Sequence, residues 1–198
     1  MDYQFSVKTM SESQRMLALT KALIMSGVSL DVFPLAWLNG TDFYRAPASK
    51  HFHAAYSGGL FEHSLNVTVK LLQFIEAGLC SPWGRPESPI IIGMLHDTTK
   101  INRYKAYQDM NTVTQEMETF YQDNPEYENL GGHGNDSVLK LKKVMDLTEE
   151  EELCIRYHMG AYETEDWDGF DKAIRKFPNV LFTHTADMYA SKCMEVTP

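Results

Sequence analysis

His96 and Asp97 stand at the end of a strongly apolar run, Ile90–Leu95. Ser88 and Pro89 have the preferences of an N-cap and a first helical residue, so the run is predicted to be a buried helix that carries both polar residues at its C-terminal end. A neutral imidazole and an ionised carboxylate are ligands that one divalent cation accepts together. The alternative is a hydrogen-bonded core histidine beside an aspartate that caps the next turn, and the pair alone favours neither interpretation.

His63 is the next candidate ligand. A helix predicted from Leu60 to about Ala77, opened by Gly58 and Gly59, places His63 on a buried stripe with Val67 and Leu71, at i, i+4 and i+8. A single histidine on such a stripe is more often a core residue than a ligand. The connection to the next helix is short, however, and short connections favour antiparallel packing. His63 and His96 are therefore expected at the same end of the helix pair.

His133 follows two glycines, at the start of a helix predicted to begin near Asn135 or Asp136. This is an unusual position for a core histidine. His158 ends a further helix, which begins with a capping box formed by Thr148 and Glu151.

Asp187 falls on the apolar stripe of the last predicted helix, for which Asn179 is the expected N-cap. Burying an unpaired carboxylate is costly, by roughly several kcal/mol, so this aspartate requires a metal ion or a salt bridge. His184, one turn earlier, is a candidate either for packing or for a contact with a metal ligand.

The remaining elements are predicted to support these side chains without chemistry of their own. They are a helix over Ser11–Ile24 with a Ser11/Gln14 capping box and a stop at Gly27, a helical turn within Val32–Leu38, a polar connector over 163–168, and a short helix from Asp168 or Gly169 that ends before Pro178. The acidic run Glu149–Glu152 is interpreted as a solvated first turn. Residues 102–129 hold either a small hairpin or an irregular lid, and the pattern favours neither.

Length and charge restrict the fold and the partners. With 43% hydrophobic residues, 198 residues can bury one sizeable core, which favours a single domain over 1–198 with an N-terminal helical extension over 1–40 and an insertion over 102–130. The net charge of −9 argues against extended duplex nucleic acid but permits a local basic pocket for a small anion. Widely separated cysteines and a polar N-terminal segment predict a reduced, cytoplasmic protein, and no apolar run approaches the roughly 20 residues of a membrane span.

Five motifs occur in order along the chain: Glu62-His63-Ser64, Leu95-His96-Asp97-Thr98-Thr99-Lys100, Gly132-His133-Gly134, Tyr157-His158-Met159-Gly160 and Ala186-Asp187. This H…HD…H…H…D order resembles that of the HD-domain metal-dependent phosphohydrolases, over about Asp42–Ala190. The segments Asp42–Lys50 and Phe52–Leu60 also resemble the branch that includes the HD-domain 3′→5′ exoribonucleases. The OB-fold ahead of the domain in those enzymes has no counterpart here, which argues against carrying over an RNA substrate.

The resemblance implies an all-α fold, an HD-domain helical bundle of about 7–9 helices with an irregular insertion. It also implies that one divalent cation binds His63, His96, Asp97 and Asp187, and that His133 and His158 match the positions for a second metal, with Asp97 bridging. Lys100 matches a lysine that contacts substrate phosphate or assists the leaving group. Thr98-Thr99 replaces the usual apolar-Gly pair, a departure that can alter the shape of the turn without removing a ligand.

Mixed histidine and carboxylate ligands suit transition metals: Mn²⁺ or Fe is favoured, Co²⁺, Ni²⁺ and Zn²⁺ are compatible, and Mg²⁺, which prefers purely oxygen sites, is kept as a further alternative. One or two such ions can activate water near neutral pH, so no serine or cysteine nucleophile is needed. Lys50, His53 and Arg45, with His51, are candidates for phosphate or sugar contacts, because their loop leads directly into the His63 helix. An interpretation as ordinary loop residues fits equally well.

These observations favour a cytoplasmic, metal-dependent phosphohydrolase that cleaves a phosphoester in a nucleotide or nucleotide-like small molecule. One alternative is a 3′→5′ nuclease or oligonucleotide phosphodiesterase acting on short single-stranded nucleic acid. Another is a non-catalytic metal- or nucleotide-binding sensor module. The sequence leaves open the substrate, the number of metal ions and the oligomeric state.

Overall fold

The computed structural model describes residues 7–129, 131–161 and 166–195 of the chain. These residues are mainly helical but include a two-stranded sheet, so the expected all-α class is not exact. The α-helices are α1 (Glu12–Met25), α2 (Leu35–Asn39), α3 (Gly59–Glu76), α4 (Ser88–Leu95), α5 (His133–Leu141), α6 (Glu149–Arg156), α7 (Trp167–Lys176) and α8 (Asn179–Tyr189). Short 3-10 turns lie at Val7–Thr9 and Thr98–Lys100, and a π-helical turn spans Ala190–Met194.

The first helix forms as its sequence predicts. The Ser11 side chain accepts a hydrogen bond from the Gln14 backbone, and the Gln14 side chain accepts one from the Ser11 backbone. Gly27, at φ +71°, follows the end of α1. Leu19 and Leu23 bury the inner face of the helix in the hydrophobic core. The capping box is therefore confirmed.

Two close backbone approaches position α3 and α4. Gly59 starts α3 against the Ala54 carbonyl, where a Cβ would collide. Gly93 on α4 lies against Thr68 on α3 and likewise leaves no room for a side chain, so the two helices pack closely together. His63 is buried on the inner stripe of α3 with its predicted neighbours, all of which are at most 1% exposed. The glycine at the α3–α4 contact thus sets the separation between His63 and the end of α4.

The N-terminal residue of α4 differs from the prediction by one position. Glu87 is the N-cap and Ser88 is the first helical residue, with Pro89 in the first turn. The Ser88 hydroxyl does not cap the helix, because it donates to the Glu151 carboxylate at 2.8 Å. The end of α4 is as predicted, with His96 as the C-cap residue and Asp97 next to it.

The insertion is a β-hairpin, so the irregular insertion expected as part of the helical bundle is wrong, and the hairpin alternative is the one that forms. Strands β1 (Tyr104–Met110) and β2 (Met117–Asp123) pair antiparallel, with Tyr104 opposite Asp123 and Met110 opposite Met117. Most residues of both strands are exposed on both faces. Tyr121, at 6% exposure, is buried at the base of the hairpin.

The acidic run at the start of α6 is not simply solvated, as the sequence analysis expected. Glu150 and Glu151 are 5% and 0% exposed. The Glu151 carboxylate accepts hydrogen bonds from the Arg85 guanidinium, at 2.7 Å, and from the Thr148 backbone N–H of the predicted capping box. Glu150 accepts the Gly84 backbone N–H. Two of the four acids therefore bind the loop that precedes α4, a contact between segments far apart in sequence.

The last helices also begin differently from the prediction. α7 starts at Trp167 with Asp166 as N-cap, while residues 163–165 of the predicted connector lie outside the described residues. Asn179 is the first residue of α8, and its side-chain amide bonds the Ser81 backbone and Glu150 instead of capping the helix. Among the described residues, no helix has both the length and the apolar character needed to cross a bilayer.

Candidate metal centre

Six side chains predicted as metal ligands meet at one end of the helices. They come from α3, the α4 terminus, the start of α5, the residues after α6, and α8: His63, His96, Asp97, His133, His158 and Asp187. His63, His96, Asp97, His158 and Asp187 are all between 0% and 6% exposed. His133 starts α5 two or three residues earlier than expected, because Gly132 adopts φ +87° directly before it and Gly134 packs against the Arg156 backbone.

One group of ligand atoms lies around the tip of His63. Its Nε2 is 3.0 Å from Oδ1 of Asp187, 3.2 Å from Nε2 of His96 and 3.6 Å from Oδ2 of Asp97. Nε2 of His96 lies 3.9 Å from each of the same two carboxylate oxygens. These four side chains therefore direct nitrogen and oxygen atoms at a common point, and His63, His96 and Asp187 have the spacing of a metal-ligand group.

A second group lies on the other side of Asp97. Oδ1 of Asp97 contacts Nε2 of His133 and lies 3.6 Å from Nε2 of His158. His96, Asp97 and His158 also have the spacing of a metal-ligand group. Because Oδ2 faces His63 and His96 while Oδ1 faces His133 and His158, the aspartate stands between the two groups.

The other nitrogen of three imidazoles is held by an acceptor. Nδ1 of His96 donates to the Gly93 carbonyl at 2.9 Å, and Nδ1 of His158 donates to the Ile155 carbonyl at 2.7 Å. Nδ1 of His63 donates to a carboxylate oxygen of Glu195 at 3.0 Å. A carbonyl oxygen or an ionised carboxylate can only accept, so a proton resides on Nδ1 of each ring and Nε2 is directed at the cluster. This is the usual orientation of metal-bound histidine.

The arrangement fits a cation. Nε2 of His158 is buried and has no hydrogen-bond partner among the residues that the structure describes. Nε2 of His63 and of His96 face each other at 3.2 Å, so without a proton or a metal ion between them two lone pairs would oppose. Buried acceptors directed at buried carboxylates are unfavourable unless positive charge compensates them. The cluster therefore has the donor set of a site for a metal ion.

The pKa values show how strongly these carboxylates attract positive charge. Burial alone would lower the pKa of His63, but the Glu195 and Asp187 carboxylates outweigh it and raise that pKa to about 10. Burial likewise opposes protonation of His158, yet Asp97 and Asp187 raise its pKa. For His96, burial dominates over Asp97 and lowers the pKa to about 3, which keeps this ring neutral. Protons and metal ions compete for such sites, because ligands must be deprotonated to bind a metal.

Lys100 lies beside the Asp97 carboxylate. Its Nζ is 2.8 Å from Oδ2 of Asp97, and the side chain is 8% exposed. Burial would lower the pKa of Lys100 but the charge of Asp97 raises it, so the ammonium stays charged. Burial would raise the pKa of Asp97, but Lys100 and His133 hold it well below its usual value. Both groups are thus ionised in the interior.

The predicted substrate-contact residues lie in different surroundings. His53 packs beside the cluster, with its ring centroid 5.2 Å from that of His63, and burial lowers its pKa to about 4. Lys50 pairs with Asp123 at the base of the hairpin, and Arg45 pairs with Glu12 of α1 at the surface. His51 is exposed. Contact with substrate stays a prediction for all four residues.

His184 supports the site without facing it. Its Nδ1 donates to the His158 backbone carbonyl at 2.8 Å, and its ring packs against Phe170. The side chain is therefore a packing and orienting residue, as one of the two interpretations expected. Glu195, by contrast, was not identified from the sequence. No local pattern marks it, because Glu195 follows the π-helical turn after α8 and meets His63 only in the fold.

Comparison of the chain with protein-family models, with curated proteins and with solved structures found no match.

Proposed function

We propose that this protein is a metal-dependent phosphohydrolase that cleaves a phosphoester bond in a nucleotide or nucleotide-like small molecule. The observation that carries the proposal is the convergence of five ligand-type side chains around Asp97, whose two oxygens face two separate groups of imidazole nitrogens. The order of these residues along the chain resembles the H…HD…H…H…D pattern of the HD-domain phosphohydrolases, which supports the same reaction class.

The ligands of a first divalent cation would be His63, His96, Asp97 and Asp187, and those of a second would be His133, His158 and Asp97. The mixture of imidazole and carboxylate donors favours Mn²⁺ or Fe and is compatible with Co²⁺, Ni²⁺ or Zn²⁺. When bound, such an ion supplies Lewis-acid chemistry that polarises a phosphoryl oxygen and makes water a better nucleophile near neutral pH.

Lys100 and His53 are the residues of this chain best placed to hold the substrate. The Lys100 ammonium has three donors, so it can bind a phosphate oxygen while it keeps its contact with Asp97. His53 is a neutral imidazole at the edge of the cluster, and it can donate to a phosphate or sugar oxygen. A phosphate beside Lys100 would lie next to the carboxylate shared by both ligand groups.

A small substrate fits the charge distribution better than a polymer. The chain carries a net charge of −9. The two basic residues of the loop before α3 are already paired, Arg45 with Glu12 and Lys50 with Asp123. A polynucleotide requires a track of cations along its backbone, whereas a single phosphate group requires only the few donors around Lys100.

The test is product analysis by liquid chromatography after incubation with Mn²⁺ and a pooled panel of mononucleotides, cyclic dinucleotides and short oligonucleotides. The matched variants are Asp187→Asn, which removes one proposed ligand charge, and Asp171→Asn, which alters an exposed ion pair with Arg175 on α7. We expect the wild type and Asp171→Asn to form one product from a small nucleotide, and Asp187→Asn to form none.

Shortened oligonucleotides as the product would instead indicate the nuclease alternative. If the protein binds a nucleotide tightly but none of the five transition metals named above supports turnover, the catalytic proposal is contradicted. That result would indicate a sensor module.

A further inference from the structure

Glu195 reaches back from the end of the described chain to the start of α3. Its carboxylate oxygens lie 3.0 and 3.2 Å from Nδ1 of His63, and one of them accepts a hydrogen bond from the Asn66 side chain at 3.0 Å. The Glu195 side chain is 1% exposed, as is that of His63. A carboxylate in this environment is costly to desolvate unless each oxygen has a donor, so the contact is specific.

The two nitrogens of His63 serve opposite sides of the ring. Nε2 faces Asp187 and Asp97 inside the cluster, while Nδ1 faces Glu195. Glu195 therefore lies behind His63, seen from the ligand cluster, and does not share its centre. Asn66 sits three residues after His63 on α3, so one face of this helix supplies both donors to the carboxylate.

The π-helical turn Ala190–Met194 places this carboxylate. Ala190 is fully buried, and the Glu195 backbone N–H donates to its carbonyl at 3.1 Å, the i→i+5 bond that defines the turn. A π turn is wider than an α turn, and such turns are frequent at functional sites. Here the turn ends α8 and directs the next side chain back toward α3, so Asp187 and Glu195 reach opposite sides of the same imidazole.

We propose that Glu195 is a positioning residue of the metal centre: its carboxylate holds His63 in the Nδ1-protonated form and orients Nε2 toward the ion. This inference rests on the metal site of the proposed function. A carboxylate behind a ligating histidine increases the basicity of the ligand and fixes its orientation, and removing such a partner typically lowers metal affinity about 10–100-fold. The residues after α8 are then part of the centre, and not only of the core.

The test measures Co²⁺ affinity by competition with a coloured chelator, together with the visible absorption spectrum of the bound Co²⁺. Glu195→Gln keeps the shape of the side chain but removes its charge, and Glu195→Ala removes both oxygens. Asn66→Ala removes one donor to the carboxylate and leaves the carboxylate in place. Glu116→Gln, at an exposed position next to β2, is the matched control.

We expect the Co²⁺ affinity to fall about 10-fold in Glu195→Gln and up to about 100-fold in Glu195→Ala, with an altered spectrum in both. Asn66→Ala should show a smaller loss, and Glu116→Gln should bind as the wild type does. A purely structural role would lower the melting temperature of the variants without metal but leave affinity and spectrum unchanged. That result would overturn the positioning role.

The two proposals fail in different ways. If the wild type binds no Co²⁺ with nitrogen and oxygen ligands, the metal centre itself is wrong. If the wild type binds Co²⁺ and hydrolyses substrate while all Glu195 and Asn66 variants bind equally well, only the role of Glu195 is wrong.

Discussion

The ligand cluster and the β-hairpin are both rich in polar side chains, and they are built in opposite ways. The cluster collects ionisable side chains from α3, the end of α4, α5, the residues after α6 and α8, and buries them almost completely. The hairpin, β1 and β2, places its polar side chains in solvent and pairs mainly with itself. Burying charge costs free energy that folding alone does not recover, whereas an exposed charge costs little. The contrast agrees with the proposed metal site, and it predicts where substitutions will matter.

Replacing Asp97 with asparagine should have the largest effect. The variant keeps the side-chain shape but removes the charge that faces Lys100, His133 and both ligand groups. We expect turnover to fall by about 10³-fold, because the Lewis acid contributes several kcal/mol and each 1.4 kcal/mol is a factor of ten in rate. Initial rates with the substrate found by product analysis measure this loss.

The hairpin supplies the control for this variant. Asp109→Asn changes the same chemical group on exposed β1 and should leave the rate within two-fold of the wild type. Turnover by Asp97→Asn within ten-fold of the wild type would show that the bridging carboxylate is not required, and the contrast between the two regions would fail.

Added metal should stabilise the whole fold through the cluster. A ligand at about 100 times its dissociation constant stabilises the native state by about 2.7 kcal/mol. For a chain of this size each kcal/mol shifts the melting temperature by roughly 2–4 °C, so Mn²⁺ should raise it by about 5–10 °C. Thermal unfolding followed by circular dichroism, with and without Mn²⁺, checks this value.

Chelation should reverse the metal-induced shift, and Asp187→Asn should reduce it strongly, because this variant lacks a ligand charge in the cluster. An equal shift in the wild type and in Asp187→Asn would place the stabilising ion elsewhere on the molecule.

Lys140 connects α5 to the 3-10 turn Thr98–Lys100, which follows His96 and Asp97. Its ammonium lies 3.3–3.4 Å from the carbonyl oxygens of Thr98, Thr99 and Ile101, and 3.2 Å from the Tyr127 hydroxyl. One hydrogen bond to a charged group contributes about 1.5–3 kcal/mol. The four contacts of Lys140 are long, so Lys140→Met should destabilise the protein by about the value of one such bond. Urea unfolding measures the free energy, and a steady-state assay should also show reduced kcat, because the turn carries Lys100.

The matched control is Lys142→Met on the outer side of the same region, where the lysine forms an exposed ion pair with Glu152. Exposed pairs contribute about 0–1 kcal/mol, so this variant should unfold almost like the wild type. Equal destabilisation by both substitutions would mean that the carbonyl contacts of Lys140 contribute nothing specific.

The sequence predicted the side chains that meet in the cluster more successfully than the residues that support them. His63 and Asp187 were predictable because helical periodicity places each of them on an apolar stripe, where a titratable side chain is unusual. His96 was predictable because it ends a continuous apolar run. Glu195 was not, because its role depends on a π turn and on a contact with His63 across 132 residues of sequence. Local patterns contain no information on such a pairing.

The same limit explains two other differences. Glu151 was predicted to be a solvated acid of the first turn, but in the fold it pairs with Arg85, which is 66 residues away in sequence. The hairpin could not be distinguished from an irregular lid, because both faces of its strands are exposed and no apolar alternation marks them. Burial that arises between distant segments is a property of the fold, and no window of the sequence shows it.

The smallest effect is expected at the tip of the hairpin. Val113 is 88% exposed between the two strands, and surface substitutions away from special features usually change stability by less than about 0.5 kcal/mol. Val113→Ser should therefore leave the free energy of unfolding, the Mn²⁺ affinity and kcat unchanged. Urea unfolding and steady-state kinetics on the same preparation check all three quantities.

KM is the quantity that separates the two possible roles of this hairpin. If the hairpin makes no contact with substrate, KM also stays at the wild-type value. If the hairpin closes over bound substrate, a polar side chain at its tip weakens that contact and raises KM, while metal affinity stays constant because the cluster is untouched. A raised KM would mean that the exposed hairpin is a lid for the buried centre, so the two regions would no longer be independent. Lys50, which pairs with Asp123 at the base of the hairpin, would then be the next residue to substitute.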